Sequence, residues 1–149
     1  MSKQQNKARK EAINELCRYV RIKECLETTG LPFVGICFTC DRRFHITALD
    51  AGHFVSGRRN AVVFEENGIH IQCSAWCNRV NHGNPKIYKD KMLARYGKEE
   101  VKRLEQLKHK VIQDKDMDFE GIAKKYKAKY ESVMRKYGYK TWSEILKGD

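Results

Sequence analysis

Between Glu11 and Glu27 apolar residues recur at three- and four-residue spacing: Ile13, Leu16, Cys17 and Val20 form one stripe, and Cys25 and Leu26 continue it. Gly30 and Pro32 stop the pattern, so a helix with one core-facing or partner-facing stripe is predicted. From Leu31 to Asn84 the texture changes, with half of the glycines, four cysteines and four of the five histidines. Phe44 to Leu49 and Ala61 to Phe64 read as short strands, the second on the β-forming run Val62, Val63 and Phe64. Asp50 to Asn60, with Gly52, Gly57, Arg58 and Arg59, reads as an irregular loop between them, and Cys77 to His82 as the opening of a short helix.

Past Pro85 the pattern is helical. Pro85 suits a first helical position, and Ile87, Tyr88, Met92 and Leu93 give a stripe that ends near Gly97. Val101, Leu104, Leu107 and Val111 predict a second helix. Asp118 caps a third, with Phe119, Ile122, Tyr126, Tyr130, Val133 and Met134 on one side and Gly138 at its end. Thr141 to Leu146 closes with a short turn or helix. The expected organisation is an N-terminal helix (1–30), a cysteine-containing core (31–97) and a basic helical extension (98–149).

Composition narrows the class. The 149 residues are 41% hydrophobic and 33% charged, enough for one small core that would profit from a staple. No apolar run is long enough to span a membrane. The segment Met1 to Lys10 is polar and lacks an apolar signal core, so a reducing, cytoplasmic setting is expected, where structural disulfides are rare. The net charge is +11, with +7 of it after Asn84. Charge alone leaves two readings open: a solvated lysine-rich surface, or a polyanion partner.

The cysteines supply the strongest motif. Cys37-Phe38-Thr39-Cys40 is a CxxC pair, and Cys73-Ser74-Ala75-Trp76-Cys77 is a CxxxC pair. Brought together, the two can hold zinc through four thiolates. Unliganded core thiols are the alternative. The longer second spacing needs a wide turn, with Trp76 packed beneath it. Cys17 and Cys25, on helical ground, read as small buried hydrophobes. A four-thiolate centre is coordinatively closed and does no hydrolysis, so any chemistry belongs to a second polar cluster.

The segments Cys37-Phe38-Thr39-Cys40, Asp50-Ala51-Gly52-His53-Phe54, Gln72-Cys73 through Cys77-Asn78, and Gly83-Asn84 with Tyr88 together resemble the phage NinG (Rap) recombination protein family, over roughly Gly35 to Gly97. The resemblance implies an α+β fold: a zinc-stapled ββα-metal core of the HNH (His-Me finger) type, flanked by N- and C-terminal helices. It also implies structure-specific cleavage of branched DNA such as Holliday junctions or D-loops, and a phage- or prophage-carrying bacterial host. By the same resemblance His53 is the general base and Asn78 a ligand of a catalytic Mg²⁺ or Mn²⁺; Asp50 is the acidic partner of that ion, directly, through water or by orienting His53, and Asn67 braces the histidine loop or forms the Asn67-Gly68 turn. The sequence departs from the commoner HNH pattern in having Gly52, not an acidic residue, directly before His53.

The chemistry is coherent on the residues themselves. A neutral imidazole accepts a proton near neutral pH, and hard oxygen donors suit Mg²⁺ while thiolates suit zinc. His82, four residues beyond Asn78, is a candidate further ligand if one helical face carries both. Arg58, Arg59 and Arg79 are candidate phosphate contacts, and Lys124, Lys125, Lys127 and Lys129 a candidate backbone track; solvated surface is the alternative for each. His70 is expected to support the second cysteine turn, and Asn84 to cap the helix at Pro85. The staple is expected to fold the His53 loop against the turn carrying Asn78, with one cation and one phosphate between them. A homodimer is expected from the symmetry of a four-way junction. Two other functions stay open: a zinc-stapled DNA-binding or recombination-accessory module without cleavage, and a generic HNH nuclease of ordinary duplex.

Overall fold

The computed structural model describes residues 2–57 and 59–149. Helix α1 spans Lys3–Thr29, longer at its start than the apolar stripe indicates, because Ser2 and Gln5 form a capping box: Gln5 N–H donates to Ser2 Oγ at 3.1 Å and Ser2 N–H to Gln5 Oε1 at 3.2 Å. Gly30, at φ 77°, ends it in the left-handed conformation. Two antiparallel ribbons follow. Strands β1 (Val34–Ile36) and β2 (Arg43–His45) form the first, with Cys37 and Cys40 in its turn. Strands β3 (Leu49–His53) and β4 (Ile69–Cys73) form the second, pairing from Leu49↔Cys73 to His53↔Ile69. A π-helix, Ser74–Val80, leaves β4 directly. A single helical turn, α2 (Asn60–Val63), lies between β3 and β4, and helices α3 (Pro85–Tyr96), α4 (Lys98–Gln106), α5 (Phe119–Lys136) and α6 (Trp142–Leu146) complete the chain.

The middle of the chain differs from its sequence reading in three places. The expected strand at Phe44–Leu49 breaks into the end of β2, a 3₁₀ turn at Ile46–Ala48 and the start of β3; the His45 ring accepts from Thr47 N–H at 3.3 Å, and Arg21 donates to the Ile46 carbonyl at 2.7 Å. The expected loop from Asp50 is strand as far as His53. The expected strand Ala61–Phe64 is instead the helical turn α2, because Asn60 is gripped from three sides: Arg9 donates to its Oδ1 at 2.9 Å, and its Nδ2 donates to Ile112 O at 2.9 Å and Asp114 Oδ1 at 2.7 Å. Such tertiary ties override local β propensity. The second hairpin strand is Ile69–Cys73, buried at every position. The helix expected through Val111 ends at Gln106, and Val111 is exposed.

The main core joins the terminal helices to the ribbons: Ile22 and Cys25 from α1, Phe33, Leu49 and Ile71 from the ribbons and the segment leading into them, Tyr130 and Met134 from α5, and Ile145 from α6. A second cluster packs Tyr88 and Met92 of α3 and Val101 and Leu104 of α4 against Val55 and Val62. The architecture is therefore a mixed α/β fold whose terminal helices flank a β-hairpin core. Among the described residues no helix is long and apolar enough to cross a membrane.

Candidate metal centre and candidate active site

The turn of β1–β2 and the end of β4 meet at the cysteines. The ligand atoms of Cys37, Cys40, Cys73 and Cys77 all lie within 4.8 Å of one another, and Cys40 Sγ and Cys73 Sγ are 3.9 Å apart. A tetrahedral zinc with Zn–S bonds of ~2.3 Å needs sulfurs ~3.8 Å apart, so the residues fit the ion. Main-chain donors already point at the sulfurs, with Cys73 N–H 3.3 Å from Cys37 Sγ and Cys77 N–H 3.3 Å from Cys73 Sγ. Burial pushes the Cys37 thiol up, but the Thr39 hydroxyl and the surrounding N–H groups outweigh it and bring it down to about 7. Burial dominates at Cys40, pushed up to about 12, and also raises Cys77. The extra residue of the CxxxC pair is absorbed by the wide π-helical turn. Trp76 does not pack beneath it: the side chain is 60% exposed, on the outside of that turn, with Val80.

The cage fixes the π-helix against β3. Ser74 Oγ donates to Asp50 Oδ1 at 2.9 Å, and Asn78 Nδ2 donates to Asp50 Oδ2 at 2.9 Å. Arg21 of α1 lies close by; burial lowers its pKa, and the charge of Asp50 is the largest influence in the other direction. Asp50 and Asn78 are thus brought together, through Asn78's amide nitrogen. Among the described residues no group of three or more His, Cys, Asp or Glu side chains besides the cage converges as for a metal.

His53 lies elsewhere. It pairs across to Ile69 while Asp50 pairs to Gln72, so the two side chains leave opposite faces of the hairpin. The expected apposition of His53 with Asn78 is not formed. His53 instead lines a cavity with Cys17 and Asn14 of α1. Its Nε2 donates to the Val63 carbonyl at 3.1 Å. A carbonyl only accepts, so in the neutral ring Nε2 carries the proton and Nδ1 is the basic nitrogen. The bracing expected of Asn67 is provided by the Val63 carbonyl. Asn67 uses its own carbonyl to accept from His70 Nε2 at 3.2 Å.

Gly52 now has a physical reason. It faces the buried carboxamide of Gln72, and a Cβ there would collide with it. Gln72 is fixed by donating to Thr39 Oγ1 at 3.2 Å and the Gly83 carbonyl at 2.8 Å. The acidic residue of the commoner pattern has no room. Tyr88, fully buried, donates to the Gly52 carbonyl at 2.7 Å and anchors β3 to α3. His70, expected to support the turn, forms a buried pair with Glu24 of α1 at 2.8 Å and meets the Tyr96 hydroxyl at 3.0 Å.

The remaining candidates are dispersed. The π-helix ends at Val80 and His82 stands in a left-handed turn at φ 51°, so it shares no helical face with Asn78. Asn84 starts α3 without a side-chain cap bond. Arg59 precedes α2 and Arg79 lies on the π-helix, both exposed; Arg58 lies outside the described residues. Lys124, Lys125 and Lys127 are exposed on α5, whereas Lys129 is engaged, its Nζ 3.5 Å from Glu66 Oε1 and 5.0 Å from the Tyr19 ring. Sequence reasoning missed Ser74, Glu24, Asn14 and the Val63 carbonyl; only tertiary folding brings them to their partners.

A β-hairpin running into a helix, pinned by a tetra-cysteine cluster, defines a zinc-stapled HNH-like fold. A family model described as the bacteriophage lambda NinG protein matches residues 1–136, and the chain belongs to that family. No curated protein and no solved structure matches it.

Proposed function

We propose that the protein is a metal-dependent endonuclease that cuts branched DNA recombination intermediates such as Holliday junctions or D-loops. The observation that carries this reading is the Asp50–Asn78 pair, held against the start of the π-helix by the cysteine cage, in a chain of the NinG family. One carboxylate and one carboxamide suit Mg²⁺ or Mn²⁺, ions that keep several waters and share phosphate oxygens. Held by Asp50 and Asn78, such an ion would supply neutralisation of phosphate charge and of the leaving oxygen. His53 Nδ1 would take the proton of the attacking water, which bonds to phosphorus as the 3′-oxygen leaves, in a bound state that brings one phosphate within reach of both groups; the Val63 carbonyl holds the ring in the required tautomer. The excess positive charge draws the polyanion, with Arg59, Arg79 and the α5 lysines as backbone contacts. A homodimer would match the two-fold symmetry of a four-way junction. Membership of the NinG family supports a cytoplasmic setting in a phage- or prophage-carrying bacterium.

One observation favours a second reading, a zinc-stapled DNA-binding or recombination-accessory module without cleavage. Asp50 and His53 lie three strand steps apart, about 10 Å, on opposite faces, so one phosphate does not reach both in this conformation. Incubation with a four-way junction and Mg²⁺ decides. The nuclease reading expects nicks that fall by about 10²- to 10⁴-fold in His53→Ala with zinc and binding retained. Binding without nicks supports the accessory module. Equal rates on branched and linear DNA of one sequence indicate a generic duplex nuclease.

A further inference from the structure

A cavity of about 340 Å³ lies between α1 and the end of β3. Its wall carries His53 and Ala51 from β3, Val55 and Ser56 from the segment that follows, and Asn14 and Cys17 from α1. This volume falls in the range of roughly 300–1,000 Å³ typical of sites that take small-molecule-sized groups. Among the described residues none of the lining side chains is acidic or permanently basic. A bare anion has no counter-charge there. An uncharged, part-apolar group does fit, with Ala51 and Val55 for its faces and Asn14 and Ser56 as hydrogen-bonding edges.

The surroundings are basic. Lys10 stands one turn before Asn14 on α1 and is exposed, and Arg59 follows two residues after Gly57, which also lines the cavity. A neutral recess with an oriented imidazole in its wall, flanked along the chain by Lys10 and Arg59, suits one unit of a polyanionic strand: sugar and base inside, phosphates outside.

We propose that this cavity seats a single deoxynucleoside unit of the bound DNA strand, with Asn14 contacting its polar edge. The inference rests on the reading of DNA as the substrate, and it adds α1 to the substrate-contacting surface.

Cys17 makes the proposal testable without any cleavage assay. It is half-buried in the cavity wall, whereas Cys25 is fully buried with its thiol pushed up to about 12 by burial, and the other four cysteines form the cage. Zinc-loaded full-length protein is treated with N-ethylmaleimide without Mg²⁺, and modification of Cys17 is followed by peptide mass spectrometry. The expected result is reaction in the free protein and strong protection by a saturating four-way junction, with saturation checked by anisotropy. Asn14→Asp, a change at an exposed position, is expected to weaken junction binding about fivefold, the effect of one unit charge ~4 Å from a phosphate in water. Cys17 that stays unreactive in the free protein, or reacts equally with and without bound DNA, overturns the proposal, as does unchanged affinity in Asn14→Asp. Protection without nicking keeps the cavity assignment and removes the nuclease reading; nicking without protection does the reverse.

Discussion

Replacing Gly52 with alanine tests the packing that ties the hairpin to the cysteine cage. The added methyl group meets the Gln72 carboxamide, which is fully buried. Overpacking of this kind costs about 1–3 kcal/mol. If Gln72 swings aside it gives up its bonds to Thr39 Oγ1 and the Gly83 carbonyl, each worth about 1 kcal/mol. The two responses are alternatives in part, so the expected destabilisation is about 2–4 kcal/mol. Urea unfolding at fixed excess zinc measures it as a fall in midpoint with unchanged slope. The double variant Gly52→Ala/Gln72→Ala removes the obstacle, and the cycle should show coupling of at least about 1 kcal/mol. A single variant within about 0.5 kcal/mol of the parent, or a cycle without coupling, would refute the steric account of this glycine.

Other consequences can be checked with the same material. Cys40→Ala should lose its zinc by elemental analysis and most of its cooperative unfolding, since binding energy in such cages is folding energy. Zinc affinity should rise with pH. Cys37 is a thiolate from about 7 upward, but Cys40 holds its proton until about 12, so zinc must displace protons at neutral pH and acid favours release; chelator competition from about pH 6 to about pH 8 reads this directly. His70→Phe keeps the stacking on Phe38, whose ring centroid is 4.2 Å from that of His70, but strands the buried Glu24 carboxylate. It should cost about 3 kcal/mol in denaturant unfolding, and a loss below about 1 kcal/mol would show that the carboxylate finds another partner or takes up a proton.

The cage was legible because its signal is chemical and local: two cysteine pairs point to zinc whatever lies between them. The terminal helices were legible because their apolar stripes are long and capped. The hairpin was not. Ile69-His70-Ile71-Gln72-Cys73 does alternate apolar and polar residues as a strand would, but the run is short and leads straight into the second cysteine pair, and only the structure shows all of it buried. Val62 and Val63 look like strand, yet the bonds that seize Asn60 from Arg9, Ile112 and Asp114 come from more than fifty residues away in either direction along the chain. The candidate site was half legible. Asp50 and Asn78 are joined by a hydrogen bond, but strand periodicity turns His53 to the other face, and only the β3–β4 register reveals that.

The zinc cage also sets where the β3–β4 ribbon yields. Its base, at Leu49 opposite Cys73, is bolted to the π-helix, while its tip, at His53 opposite Ile69, is closed by main-chain bonds such as Phe54 N–H to the Gly68 carbonyl. The ribbon is therefore a lever with a fixed fulcrum. Local opening of the ribbon should therefore be easier at the tip than at the base, and amide exchange should quicken from base to tip.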